Sequence, residues 1–237
     1  MNILQLFLAP TYKTLSALSG ITLDSSELLP QLAASVGDDI IETAKAKNEM
    51  LFFFSAIRTT ITDAVHLRDF AKASQVILKY PAFFENLLGR MSISSFEIIF
   101  LTGLVSFHMA RETRESHWME KGETVLSAFE KWSVLNKWNF EHRYQLLKAE
   151  CHHTKGETNA AIQAYDVSAE AAQKHHCIPQ VAVACELAAH YFGNIGIKDR
   201  TREMIQRSHD AYLEWGANRK AKTVIGLLEL NWLDGSV

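Results

Sequence analysis

Proline is scarce in this chain, with four in 237 residues, and glycine is modest at eleven. So little punctuation favours long helices joined by short turns over a loop-rich architecture. Cysteine is scarce too: Cys151, Cys177 and Cys185 stand at spacings that make no disulfide framework. No Asn-x-Ser/Thr sequence occurs. Together these lead to the expectation of a reducing, cytoplasmic compartment. Neither sign of charge dominates, the formal net charge being −3 and the pI about 6.4, which argues against a dedicated nucleic-acid binder. Long hydrophobic runs are missing as well. The stretch Phe96 to Ala110 is 15 residues and holds Glu97 and His108, short of the roughly 20 apolar residues a membrane span needs. Met1 to Ala9 is apolar but has neither a basic leader nor a small-residue cleavage site, so it reads as an amphipathic helix continuing through Leu18. No membrane partner is expected.

The usual chemical signatures are also absent. There is no G-x-x-x-x-G-K-[ST], no G-x-G-x-x-G and no G-x-S-x-G, so phosphate cradles and the hydrolase elbow lack support. There is no C-x-x-C and no H-E-x-x-H. Cys151-His152-His153 and His175-His176-Cys177 are the nearest approach to a metal set, with Cys185 and His190 further on. Adjacent residues on a helix diverge by about 100°, so neither triplet aims more than one or two ligands at a common point. Neither catalytic residues nor a cofactor or metal are expected.

What the chain does have is helical periodicity and a near-repeat. Hydrophobic residues make up 48% and charged residues 22%, enough apolar material for a sizeable core. Asp24-Ser25-Ser26-Glu27 opens a short helix through Leu32, and Gly37-Asp38-Asp39 precedes a longer one from Ile40 towards Val65. Asp69 starts another helix, broken at Tyr80-Pro81. Ser94 with Glu97 opens a helix to Met109, Arg111 to His117 reads as a turn, and Met119 to Trp138 as the next helix. From Phe140 to Ala217 two segments each read as helix, Gly turn, helix, with Gly156 and Gly196 40 residues apart. Ala184, Leu187, Ala188, Tyr191, Phe192 and Ile195 give the strongest helical stripe in the chain. Asp199 is the expected N-cap of the helix that follows Gly196. The Trp set reads as core rather than as a stacking platform.

Gly156-Glu157, Ala161-Ile162 and Tyr165, with Ala149 upstream, resemble the second half of a tetratricopeptide repeat. Glu186-Leu187-Ala188-Ala189, Phe192, Gly196, Ile205, Tyr212-Leu213 and Trp215-Gly216-Ala217 resemble the helical-repeat tail of very large signalling proteins. So do Asn139-Phe140, His142, Tyr144, Leu146-Leu147 and Ala149-Glu150. Those proteins carry a kinase-like domain, an AAA-type ATPase, this tail and often a sensor histidine-kinase region. The match departs at Thr201, where the tail usually has Ala. The resemblance implies an all-α fold of antiparallel helix pairs stacked as a tetratricopeptide-like right-handed superhelix. It implies one helical-repeat domain over residues 1–237, with its clearest repeats at 140–177 and 178–217. Protein–protein recognition or scaffolding in signal transduction follows, the partner being a protein, a peptide or a neighbouring domain of a larger signalling protein. A metal-dependent or other enzyme on an α-helical fold, or a structural oligomerisation module, are the alternatives.

Aligning the two repeats on Gly156 and Gly196 and carrying over the groove positions of the resembling repeat gives the expected partner-binding residues. They are Arg143, Leu146, Glu150 and His153 in one unit, with Val183, Glu186, His190 and Asn194 in the next. These positions mostly fall off the apolar stripe. The expectation is a mixed-charge groove in which Arg143 and Glu150 pair with a peptide.

Overall fold

The computed structural model describes residues 18–19, 40–46, 48, 50–89 and 93–228. The helices expected around residues 24–32, the stop at Gly37 to Asp39, Trp232 and the N-terminal stretch other than Leu18 and Ser19 lie outside these. Eleven α-helices have their bounds among the described residues, and no strand occurs there. They are α1 (Ile40–Ala46), α2 (Met50–His66), α3 (Phe70–Lys79), α4 (Pro81–Leu87), α5 (Ile93–Thr113) and α6 (Ser116–Leu135). Then follow α7 (Lys137–Lys155), α8 (Thr158–Lys174), α9 (Ile178–Asn194), α10 (Lys198–Glu214) and α11 (Asn218–Ile225), with one 3-10 turn after it. The chain divides into two compact units, residues 1–101 and 102–237.

In the first unit the long helix expected from Ile40 is interrupted. Asn48 takes a left-handed conformation at φ 55°, and α2 restarts at Met50. Asp69 caps α3 as expected, its side chain accepting the Lys72 N–H at 3.0 Å. Tyr80-Pro81 ends α3, but Pro81 at once opens α4, because a residue without an N–H suits the first helical position. The Phe53 ring sits edge-on to Tyr80 and Phe83 at 5.3 and 5.4 Å. The Tyr80 hydroxyl donates to Glu42 at 2.5 Å, tying α1 to the α3–α4 corner, with Lys79 on the same carboxylate at 2.8 Å. Burial, and then that carboxylate, push the Tyr80 hydroxyl up to about 12.

The second unit has a stricter order. α8, α9, α10 and α11 begin at Thr158, Ile178, Lys198 and Asn218, 20 residues apart each time, and the first three are 17 residues long. Each is preceded by the same turn. Gly156, His176, Gly196 and Gly216 all have positive φ, at 74°, 54°, 76° and 85°. The next N–H reaches back five residues in all four: Glu157 to His152, Cys177 to Ala172, Ile197 to Phe192 and Ala217 to Tyr212, at 2.8–2.9 Å. This is the left-handed helix stop that satisfies orphan carbonyls while reversing the chain. The 40-residue period of the sequence is therefore two 20-residue helix-and-turn elements. It exceeds the 34 residues of a tetratricopeptide repeat.

The register of burial repeats with the turns. The fourth residue of each helix, Ala161, Val181, Thr201 and Ala221, is 0–3% exposed. The Thr201 hydroxyl, the departure from Ala noted above, donates to the Ile197 carbonyl at 2.9 Å and so costs no unpaired group. Ser168 and Ser208 also lie 40 apart, and each donates across its helix hairpin, to the carbonyls of His142 and Ala182, both at 2.8 Å. Ala161 and Ala188 are fully buried, as close helix crossing requires. Between α5 and its neighbours, glycine permits similar closeness: a Cβ on Gly103 would lie 2.6 Å from Leu147, and one on Gly122 2.7 Å from the Phe107 ring.

Three expected boundaries move. The segment from Arg111 is not a turn: α5 runs to Thr113, and the reversal is Arg114-Glu115, with Arg114 at φ 58°. The helix expected to reach Trp138 stops at Leu135, because the Asn136 side chain caps α7 by accepting the Asn139 N–H. The N-cap of α10 is Ile197, which leaves Asp199 in the first turn, where its charge still opposes the helix dipole.

Candidate functional site

Three places in the second unit hold polar side chains in defined geometry. The first links α5, α7, α8 and α9. Glu150 on α7 is 2% exposed and accepts from Arg111 Nη2 at 2.7 Å and from the Tyr165 hydroxyl at 2.5 Å. Arg111 Nη1 also reaches Thr154 Oγ1 at 3.0 Å, and Thr154 in turn donates to the Glu150 carbonyl. Beside them the His153 ring lies 4.6 Å from the Tyr191 ring of α9, centroid to centroid. Burial alone would raise the Glu150 carboxyl, but Arg111, His153 and the Tyr165 hydroxyl hold it below its ordinary value. Burial and then the Arg111 charge push His153 down to about 4, against the pull of Glu150, so it is neutral at pH 7.

The second place links α9, α10 and α11. Glu186, 5% exposed, accepts from the Tyr212 hydroxyl at 2.7 Å and from Lys220 Nζ at 2.6 Å. Lys220 is itself 4% exposed, an unusual depth for an ammonium group that only a paired carboxylate makes tenable. On the α8–α10 side, Arg200 pairs with Asp166 and lies over the Phe192 ring. Along the same helix Arg202 pairs with Asp199 and Arg207 with Glu203.

These networks correct the expected groove. Glu150 and Glu186 face adjoining helices and are fully paired there, so neither carboxylate is presented to a peptide. Leu146 and Val183 are buried between helices. Arg143 is half-buried, with Nη1 donating to the Asn139 carbonyl at 2.9 Å. His153 is half-buried against Tyr191, His190 is half-buried, and Asn194 alone of the eight is exposed. The sequence reading erred by treating charge as a sign of exposure. Arg111, the partner that draws Glu150 inward, lies in α5 and not in the expected turn.

The third place is the corner where α6 meets α7, beside the α8–α9 turn. Val134, Leu135 and Trp138 are 78%, 82% and 56% exposed. The Trp138 ring lies 4.7 Å from the His175 ring. His175 and His142 are 8% and 1% exposed, and neither ring has a hydrogen-bond partner on either nitrogen among the described residues. Glu141 approaches His175 Nε2 only to 3.5 Å, outside hydrogen-bond geometry. Burial, then Arg143 and His175, lower His142 to about 3. The expectation that tryptophans are core holds for Trp118, 1% exposed, and not for Trp138 or Trp215.

Elsewhere, Gln145, Lys148 and His152 of α7 face Ala160, Gln163, Ala164 and Val167 of α8 across a notch of about 190 Å³. Cys151 and Cys185 are buried thiols, and burial pushes Cys185 up to about 11, away from thiolate reactivity. Among the described residues no three of His, Cys, Asp and Glu converge as a metal set. No described helix is long and apolar enough to cross a membrane. Comparison of the chain with protein-family models, with curated proteins and with solved structures finds no match.

Proposed function

We propose that the chain is a non-catalytic protein–protein interaction or scaffolding module of signal transduction, acting in the cytoplasm. Its partner in this reading is a protein, a peptide or a neighbouring domain of a larger signalling protein. The helix pairs of the second unit would continue one another as a tetratricopeptide-like right-handed array. The observation that carries the reading is the fourfold recurrence of one 20-residue helix-and-turn element, from Gly156 to Gly216. A stack of such elements buries its ion pairs between helices and builds an extended surface of the kind by which repeat proteins bind partners. The resemblance to the repeat tails of signalling kinases supports the same assignment.

The test places a photo-crosslinking residue at Leu135, at Asn194 or at Lys148, one at a time, in the chain expressed in its cell of origin. The reading expects discrete protein adducts from at least one position. No adduct from any of them would contradict it.

A further inference from the structure

We propose that the corner formed by Val134, Leu135 and Trp138 is a docking site for an acidic protein segment bearing an apolar anchor; this rests on the interaction reading above. Three large apolar side chains stand exposed within five residues, Leu135 at 82%. Single exposed apolar residues are ordinary, whereas a contiguous group marks an interaction surface. Val134 and Leu135 keep little of their surface from water where they are. Trp132 and Phe129, on the same helix, pack on Phe140 instead.

Charge complementarity selects the partner. Lys131 and Lys137 are exposed and flank the patch along the chain, Lys174 is exposed next to His175, and Arg143 is half-buried further along α7. Against them stand Glu141, close to His175, and Glu130, whose carboxylate accepts from the Tyr144 hydroxyl at 3.2 Å. A basic rim round an apolar centre attracts acidic segments and repels basic ones.

A second observation points the same way. His175, more than nine-tenths buried, lies directly against the exposed Trp138, and among the described residues neither ring nitrogen has a hydrogen bond, the Glu141 carboxylate standing 3.5 Å from Nε2. An unsatisfied buried donor is costly, and structures rarely retain one without a use. Displacing the Trp138 ring gives an incoming carboxylate an N–H to accept from. The apolar anchor of the same segment then takes the place against Val134 and Leu135.

The test immobilises the whole chain and selects short random displayed peptides at physiological salt. The expected consensus combines two or more Asp or Glu with Leu, Phe or Trp. Binding of the consensus peptide should weaken roughly tenfold or more in Leu135→Asp and in Lys137→Glu/Lys174→Glu. These positions are exposed, so circular dichroism and melting should be unchanged. His175→Ala should weaken it too. A consensus without acidic residues, or binding unaltered by both exposed variants, overturns the corner. In the second case selected peptides that still bind leave the interaction reading standing. Phosphatidylserine vesicles form the other arm: a chain that pellets with them while no peptide is enriched has a membrane-facing corner, and the proposal falls.

Discussion

Arg111 and Glu150, 39 residues apart in sequence, form an ion pair at 2.7 Å that is closed off from solvent on the glutamate side. It joins α5 to α7, and the Tyr165 hydroxyl extends it to α8. A charge so placed is tolerable only with its partner, so removing one side costs more than the pair contributes. Arg111→Met should destabilise the second unit by about 3–5 kcal/mol in urea unfolding, and Arg111→Met/Glu150→Leu should recover most of the loss. A single variant within 1 kcal/mol of the parent, by about that margin, would show the pair to be incidental.

Acid should loosen the second unit. His142 and His153 are held down to about 3 and about 4, chiefly by burial, against roughly 6.5 in an unfolded chain. Between those values the unfolded state binds the extra protons, so stability is complete above pH 6.5 and falls as pH drops towards 4. Glu150, held below its ordinary value, acts in the same direction at still lower pH. From pH 6.5 to 5 each histidine should cost about 2 kcal/mol. Unfolding curves of His142→Leu across this range should have a visibly shallower pH slope than the parent, and equal slopes would contradict the assignment.

The turns offer opposite substitutions at equivalent places. His176 occupies at φ 54° the position that glycine fills at 156, 196 and 216. His176→Gly should stabilise by about 0.5 kcal/mol, strain relief outweighing the added freedom of the unfolded chain. Gly196→Ala should cost about 1 kcal/mol, and the penalty is purely conformational because nothing lies within 4 Å of the new methyl group. Thermal melts that rank the two variants the other way round would break the equivalence of the turns.

Close helix approach is testable at Gly122 and Ala188. A Cβ at Gly122 would lie 2.7 Å from Phe107, and Ala188 is 1% exposed. Gly122→Ala and Ala188→Leu should each lose about 1–3 kcal/mol by overpacking. A melting temperature within about a degree of the parent would place either residue at a looser contact.

The helical character, the Asp69 cap and the Gly156 and Gly196 turns were legible because each is written in local pattern. The 20-residue element was only half legible. Three of its four turns carry glycine, at 156, 196 and 216, but the turn between the first two is His176, which no glycine marks. Glu150 and Glu186 were misread for a different reason. A glutamate in a helix looks the same in sequence whether it faces water or a buried cation, and only the fold brings in Arg111 and Lys220. The Asn136 stop was likewise hidden, because the apolar run through Val134 and Leu135 continues the helical period up to it.

The central claim is that α8 to α11 are copies of one 20-residue element in a single register, so a further pair should fit. The direct measurement is thermal unfolding of a chain in which residues 178–217 are duplicated after Ala217. The second copy carries Gln180→Lys, which gives the first Glu186 the cation that Lys220 supplies in the parent. The account predicts one cooperative transition at an unchanged or higher melting temperature, with helix content per residue preserved. A lower melting temperature, or a second transition from the inserted pair, would contradict it.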